Sequence, residues 1–145
     1  MNYSAIILCA GAGKRTGLSY NKMFYNIDGQ TVYEKTMHVF LSDPRCKQII
    51  VVTKKEEQDE FEKIIASSRI VFVEGGTERQ DSVTNGLQAV NQDYVMIHDG
   101  ARCFIKSDLL DRLCKSLEEH DACLAMVPSI DTVKRVVDGK IAETF

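Results

Sequence analysis

The sequence has no pair of cysteines at the C-x-x-C spacing, and its cysteine count is odd. Disulfide frameworks and structural zinc sites are built from paired cysteines, so neither kind of site is expected here. The thiols are instead predicted to be reduced and mostly buried, as is typical of cytosolic proteins. The five cysteines are Cys9, Cys46, Cys103, Cys114 and Cys123.

Long apolar runs and an excess of basic charge are also missing. The first apolar run, residues 5–8, is too short for a signal peptide, and no stretch long enough to cross a membrane follows it. A net charge of −3 argues against binding to nucleic acid or to an anionic membrane surface. Only 2 prolines and 9 glycines, with 44% hydrophobic residues, are typical of a globular core. The 145 residues therefore predict one soluble cytoplasmic domain.

What the sequence does contain is a regular alternation of short apolar runs and amphipathic segments. Strands that are apolar on both faces predict a mostly parallel sheet, and amphipathic helices between them predict a helical layer on each side. The fold class is therefore predicted to be α/β, with an active crevice at the carboxyl ends of the strands. The predicted strands are residues 3–9, 48–53, 70–74, 94–98 and 122–127, and the predicted helices are residues 31–41, 56–66, 79–90 and 107–119.

The last part of the chain has a different pattern. Asp138-Gly139 separates two strand-like segments, residues 132–137 and 140–144, and this dipeptide is the strongest short-range signal for a β-hairpin. A hairpin appended to a parallel sheet predicts an arm, beginning at about residue 131. The sequence ends within that feature, so the domain, residues 1–145, is expected to be truncated.

The loop after the first strand is rich in glycine and positive charge. Gly11 and Gly13 let the backbone turn sharply and approach a ligand closely. Lys14, Arg15 and Lys22 add three cations within nine residues. A turn of this kind at the end of a strand is typical of a phosphate-binding site.

Two common phosphate-binding motifs do not match this loop. A P-loop requires glycine where Leu8 stands and a hydroxyl residue where Arg15 stands. A dinucleotide fingerprint requires a third glycine at the position of Thr16. The simpler alternative is a strand-to-helix turn whose lysine and arginine point to water.

A second loop begins at Gly75-Gly76, after the third predicted strand. Thr77 and Gln80 have the spacing of a capping box, which predicts a helix start. The two glycines expose backbone groups that a nucleotide base can contact, and Ser82 adds a hydroxyl one turn into the helix. A well-capped helix after a tight turn is the alternative, and Arg79 is either a ligand contact or a clamp that orders the loop.

A third loop, residues 98–102, closes the fourth predicted strand. The Asp99 carboxylate is well placed for Mg²⁺, because substrate phosphates supply most ligands of this ion; the alternative is a turn residue. His98 is expected to be a packed strand residue. No Ser/His/Asp or Cys/His set stands out, which favours chemistry in which the protein only positions two anionic partners and neutralises developing charge.

These loops together resemble the 2-C-methyl-D-erythritol 4-phosphate cytidylyltransferases. The matching residues are Ala10-Gly11, Gly13, Arg15, Lys22, Gly75-Gly76, Arg79, Ser82-Val83, Gly86-Leu87, His98-Asp99, Ala101-Arg102 and Asp131-Thr132-Val133-Lys134. The resemblance covers the whole chain and implies a Rossmann-like nucleotidyltransferase. Such an enzyme joins CTP and 2-C-methyl-D-erythritol 4-phosphate, with Mg²⁺, and releases pyrophosphate.

The resemblance also implies roles for particular residues. Arg15 and Lys22 are implied to be catalytic, stabilising the triphosphate and the transition state. The implied nucleotide-binding residues are Ala10, Gly11, Ala12, Gly13, Gly76, Thr77, Ser82 and Gly100. The implied substrate-binding residues are Asp99, Arg102, Thr132 and Lys134, with Asp99 also at the metal. A homodimer through the arm is implied, which puts Thr132 in reach of the partner's site.

Two alternatives to this activity stay open. Ribitol-5-phosphate cytidylyltransferases share the fold and chemistry, although the second and third loops favour the methylerythritol enzyme. A catalytically incomplete nucleotide-binding fragment is the other alternative, since the family has further basic active-site residues beyond Phe145.

The chain departs from the family's usual pattern at four positions. The family usually has proline at positions 21 and 103, glutamine at 23 and alanine at 100, whereas this chain has Asn21, Cys103, Met23 and Gly100. Losing proline removes rigidity from a loop, but no charge is lost.

Overall fold

The computed structural model describes residues 1–11 and 17–145. The predicted site residues Ala12, Gly13 and Arg15 lie outside the described residues. The chain divides into two compact units, Met1–Leu110 and Asp111–Phe145. No helix in the described part of the chain is long and apolar enough to span a bilayer.

The first unit alternates strands and helices as the sequence pattern predicts. In chain order its elements are β1 (Tyr3–Leu8), a 3₁₀ helix (Lys22–Phe24), β2 (Asn26–Ile27), β3 (Gln30–Thr31), α1 (Val32–Ser42), β4 (Cys46–Thr53), a 3₁₀ helix (Lys55–Glu57), α2 (Gln58–Ile64), β5 (Ile70–Glu74), α3 (Arg79–Gln88) and β6 (Tyr94–Asp99). The last helix, α4 (Ser107–Ser116), crosses the boundary between the two units.

Four parallel strands form the sheet, in the order β5-β4-β1-β6. Ile6 of β1 lies opposite Ile50 of β4 on one side and Ile97 of β6 on the other. The chain adds β4 and β5 on one side of β1 and then returns to add β6 on the other side. This reversal leaves a crevice at the carboxyl ends of β1 and β6, which is where open α/β sheets bind ligands.

Helices cover both faces of the sheet, so the predicted α/β class with a Rossmann-like three-layer arrangement is confirmed. On one face the buried side chains of Tyr33, Met37 and Phe40 come from α1, and Phe61 of α2 packs edge-on against Tyr33. On the other face α3 approaches the strands closely at Gly86, where an added Cβ would lie 2.9 Å from Ile6 Cγ2.

The second unit contains the predicted hairpin, with β7 (Lys134–Val137) antiparallel to β8 (Lys140–Thr144). Asp138 and Gly139 between them have φ of 50° and 73°, the left-handed values that a type I′ turn requires. A shorter hairpin, β2–β3, was not predicted, although Asp28-Gly29 carries the same signal and also has positive φ at both residues.

The predicted strand at residues 122–127 is wrong. This segment has no regular structure, and its apolar side chains Leu124, Met126 and Val127 are each at least 78% exposed. An apolar run becomes a strand only when a neighbouring strand takes up its backbone hydrogen bonds, and no strand in the described part of the chain pairs with this one.

Candidate functional site

A cleft of about 760 Å³ opens at the carboxyl ends of the parallel strands, within the first unit. This volume is typical of a small-molecule site. The cleft brings together nine of the predicted site residues, Ala10, Gly11, Lys22, Gly76, Thr77, Ser82, Asp99, Gly100 and Arg102. Thr132 and Lys134 belong to the second unit, where Lys134 lies opposite Thr144 in the hairpin.

Ser82 holds the glycine loop after β5 in place. Its buried hydroxyl oxygen accepts a hydrogen bond from the Gly76 N–H at 3.0 Å, and the Gly75 N–H donates to the Thr53 carbonyl at 2.9 Å. The loop passes so close to α3 that a Cβ on Gly76 would lie 2.2 Å from the Asp81 Cβ. The glycines therefore bring bare backbone to the cleft where any side chain would collide.

The cap of α3 lies one residue later than the sequence predicts. The predicted pair was Thr77 and Gln80, but Asp81 accepts a hydrogen bond from the N–H of Glu78 at 3.0 Å, and the helix begins at Arg79. Both registers offer an acceptor three residues beyond the cap, so the spacing alone did not distinguish them. The shift leaves Thr77 in the loop, on the cleft.

Asp99 lies between two arginines at the end of β6. Its Oδ1 accepts from Arg79 Nη2 at 2.8 Å and Nε at 3.1 Å, and its Oδ2 lies 3.1 Å from Arg102 Nε. Burial works to raise the pKa of Asp99, but the hydrogen bonds from Arg79 and the charges of both arginines outweigh it and hold the pKa below the ordinary value. Asp99 is therefore ionised at neutral pH, and Arg79 is a clamp between the loop after β5 and the end of β6.

His98 is a packed strand residue, as predicted. Its ring lies 5.4 Å from that of Phe40, and its Nε2–H donates to the Arg102 carbonyl oxygen at 3.2 Å. Burial lowers the pKa of His98, more than the hydrogen bond to Arg102 raises it. The ring is neutral at pH 7 and orients the backbone that carries Arg102.

Lys22 opens a 3₁₀ helix whose N-cap is Asn21, and its side chain lines the cleft. No role was predicted for Asn21, or for Lys54 and Lys55, which also line the cleft just after β4. The position of both lysines at the carboxyl end of a predicted parallel strand does place them at the expected crevice.

The charges that the described residues bring to the cleft nearly balance. The basic side chains are Lys22, Lys54, Lys55, Arg79 and Arg102, and the acidic ones are Glu56, Glu74, Glu78 and Asp99. Within the described part of the chain, no group of three or more His, Cys, Asp or Glu side chains is arranged to hold a metal ion.

The family model of IspD, 2-C-methyl-D-erythritol 4-phosphate cytidylyltransferase, matches residues 3–145. The chain is 39% identical to the protein of that name from Bacillus mycoides over 147 residues, covering 98% of this chain and 65% of the relative. It is 40% identical to the one from Bacillus licheniformis over 150 residues, covering 100% of this chain and 65% of the relative. The chain thus spans just under two thirds of these relatives' length.

Solved structures agree with this match. The crystal structure of 4-diphosphocytidyl-2C-methyl-D-erythritol synthase from Anaerococcus prevotii superimposes with a TM-score of 0.84 at 29% identity, over 99% of this chain and 63% of that one. The crystal structure of 2-C-methyl-D-erythritol 4-phosphate cytidylyltransferase from Thermus thermophilus superimposes with a TM-score of 0.75 at 25% identity, over 100% of this chain and 64% of that one. The order of the strands, the loops at their carboxyl ends and these matches lead to one conclusion: the chain belongs to the 2-C-methyl-D-erythritol 4-phosphate cytidylyltransferase family.

Proposed function

We propose that this chain binds CTP and takes part in its reaction with 2-C-methyl-D-erythritol 4-phosphate, giving CDP-methylerythritol and pyrophosphate. The observation that carries the proposal is the meeting of two glycine loops, Lys22 and the arginine-held Asp99 in one cleft of suitable volume. The names of the relatives support this substrate pair over ribitol 5-phosphate.

The proposed reaction needs no nucleophile from the protein. A phosphate oxygen of the polyol substrate is already ionised near neutral pH, and it attacks the α-phosphorus of CTP. The new P–O bond forms as the bond to the β-phosphate oxygen breaks, and pyrophosphate leaves with the electron pair. In this proposal Lys22 and Arg15 neutralise the charge that develops on the phosphate oxygens, which lowers the barrier.

Recognition of cytidine is assigned to backbone groups and one hydroxyl. Ala10 and Gly11 follow β1, Gly76 and Thr77 follow β5, and Gly100 follows β6, so all of them border the cleft. The Ser82 oxygen accepts from the Gly76 N–H, and within the described part of the chain its own proton is left to donate to an acceptor on a base.

The surroundings of Asp99 are compatible with one Mg²⁺. A carboxylate offers about four acceptor positions, and Arg79 and Arg102 occupy three of them. Counting contacts among the described residues only, one position on Oδ2 stays available, and the triphosphate oxygens are the natural further ligands for this ion. We assign Mg²⁺ to Asp99. The ion would neutralise the phosphate charge that the nearly balanced cleft residues leave uncompensated. Pyrophosphate release measured without Mg²⁺ and with added chelator tests whether the reaction needs this ion.

The polyol phosphate is assigned to Arg102 of the first unit. Arg102 is a mostly exposed guanidinium at the cleft, which suits a phosphate that arrives from solvent.

We also infer a homodimer through the hairpin arm, supported by the exposed apolar side chains of Val136 and Ile141. Sedimentation equilibrium measures the oligomeric state. The five free cysteines support a cytoplasmic location, which cell fractionation tests.

Pyrophosphate release and calorimetry test the proposed function. We expect CTP to bind more tightly than UTP, ATP or GTP, and release to require 2-C-methyl-D-erythritol 4-phosphate and not ribitol 5-phosphate. Lys22→Ala should lower kcat by about 100-fold or more while changing CTP affinity little, because its charge acts mainly in the transition state. Lys47→Ala, at an exposed position at the other end of β4, is the matched control.

Three outcomes separate the alternatives. CTP binding without turnover supports a nucleotide-binding portion that is catalytically incomplete alone. Turnover with ribitol 5-phosphate instead of 2-C-methyl-D-erythritol 4-phosphate shows that ribitol 5-phosphate is the polyol substrate. Absence of CTP binding overturns the proposal.

A further inference from the structure

Asn21 is a buried polar side chain, 7% exposed, directly before Lys22. Its Nδ2 donates to the Cys9 carbonyl oxygen at 2.9 Å and to Glu57 Oε2 at 2.8 Å. Its Oδ1 accepts from the Met23 N–H at 3.1 Å. Both amide donors and the acceptor are therefore engaged, which fixes the side chain in one orientation.

These three hydrogen bonds join three segments at the cleft. Cys9 directly follows β1 and precedes Ala10-Gly11. Met23 belongs to the 3₁₀ helix that begins at Lys22. Glu57 lies just before α2 and also accepts from Thr53 Oγ1 at 3.3 Å, at the end of β4. Asn21 thus ties the Lys22 turn to the ends of two strands in the sheet.

We propose that Asn21 is a positioning residue for Lys22, holding the lysine turn against the cleft through its amide. The role of Lys22 itself rests on the proposed function. Lys22 has a flexible four-carbon stem, so a fixed backbone at residues 21–24 limits the region that its ammonium group can reach. The hydrogen bonds from Asn21 provide that restraint.

The backbone of Asn21 identifies a rescue variant. Its φ is −63° and its ψ is 124°, values that a proline ring favours. Asn21→Pro removes the three hydrogen bonds but restricts the same turn covalently. If Asn21 acts by holding the turn, proline should restore much of what Asn21→Ala loses. Asn2→Ala, at an exposed asparagine, controls for the loss of the side chain.

The first measurement is amide hydrogen exchange without substrate. Phe24 N–H donates to the Asn21 carbonyl and Tyr25 N–H to the Lys22 carbonyl, so both amides report whether the turn is formed. Asn21→Ala should speed their exchange about tenfold, the loss expected when buried hydrogen bonds are removed. Asn21→Pro and Asn2→Ala should leave these rates near wild type. Glu57→Ala, which removes one of the three contacts, should give an intermediate rate.

The second measurement is a double-mutant cycle on turnover. Asn21→Ala should lower kcat about tenfold with CTP affinity within about twofold, and should cost nothing further in the Lys22→Ala background, because its effect passes through Lys22. An equal loss in both backgrounds, or unchanged exchange in Asn21→Ala, overturns the proposal. If wild type binds CTP but shows no turnover, the chain is catalytically incomplete alone; if it does not bind CTP, the proposed function is at fault. In both cases the exchange rates alone decide whether Asn21 holds the turn.

Discussion

At the scale of single residues, Gly100 lies where the loop after β6 comes closest to β1. A Cβ at this position would lie 2.9 Å from the Leu8 carbonyl oxygen, and equally close to Cys9 Sγ and Met23 Cε. The methionine can move, but the Leu8 oxygen is part of the central strand. The family's usual alanine at this position is therefore not neutral in this chain, where Met23 occupies part of the space.

Gly100→Ala should lower the free energy of unfolding by about 1–3 kcal/mol, the usual cost of forcing an extra methyl group into a packed site. Urea denaturation measures it. Gly11→Ala is the control, since no atom of the described residues lies within 4 Å of its added Cβ. Equal stability of Gly100→Ala and wild type would contradict this packing.

The arginine pairs of Asp99 act by orientation more than by stability. The side chains of Arg79 and Arg102 are 64% and 78% exposed, and ion pairs that reach water contribute little to folding. Their effect is to fix where the carboxylate points and to keep it ionised. This is the kind of local arrangement that a binding site needs, and it shows the clamping role that the sequence offered for Arg79.

At the scale of elements, α1 begins at a reciprocal cap. Thr31 Oγ1 accepts from the Glu34 N–H at 3.1 Å, and Glu34 Oε2 accepts from the Thr31 N–H at 2.7 Å, which is a reciprocal capping box. These bonds satisfy backbone donors that have no partner inside the helix.

Thr31→Ala should therefore destabilise the protein by about 1 kcal/mol, as measured by chemical denaturation. Thr84→Ala is the matched control, because Thr84 is exposed within α3 and its hydroxyl only bonds back to the Gln80 carbonyl at 3.0 Å. Alanine favours helix more than threonine does, so the control should be neutral or slightly stabilising. A larger loss in the control would contradict the capping argument.

At the scale of the whole molecule, Asp43 joins distant parts of the first unit. This buried carboxylate follows α1, accepts from Tyr3 Oη at 2.9 Å at the start of β1, and pairs with Arg45 at 2.8 Å before β4. Burial tends to raise the pKa of Asp43, but the hydrogen bonds from Arg45 and Tyr3 and the charge of Arg45 outweigh it and lower the pKa. The ionised form is the one that stabilises the fold.

The lowered pKa of Asp43 in the folded protein stabilises the fold at pH values above the pKa of the same carboxyl in the unfolded chain, which is about 3.9. This stabilisation is lost as the pH falls from that value toward the pKa in the folded protein. We expect Asp43→Asn to lower the free energy of unfolding at pH 7 by about 1–3 kcal/mol, because buried donors lose a charged acceptor. The difference from wild type should shrink at pH 3. Urea unfolding of both proteins at pH 7 and pH 3 measures this difference in free energy. A difference that grows on acidification would contradict a lowered pKa of Asp43.

Several parts of the fold were predictable because their signals are local. The strand at Ile70–Glu74 was predicted with its observed bounds, and the hairpin at Asp138-Gly139 followed from a dipeptide that accepts positive φ. The grouping of Asp99, Gly76 and Lys22 in one cleft also followed, because loops after parallel strands share an edge of the sheet. The segment 122–127 was predicted wrongly because pairing, unlike apolarity, depends on a distant neighbour.

The alternation of strands and helices, the family and nine of the residues at the cleft followed from the sequence alone, since each depends on residue types at short spacing. The packed fold was needed to show that Arg79 clamps Asp99 across 20 positions of chain and that Asn21 reaches both Cys9 and Glu57. These contacts depend on how strands are ordered in the sheet. The physical reason is that hydrogen bonds require geometry within a few tenths of an ångström, which only the packed fold provides.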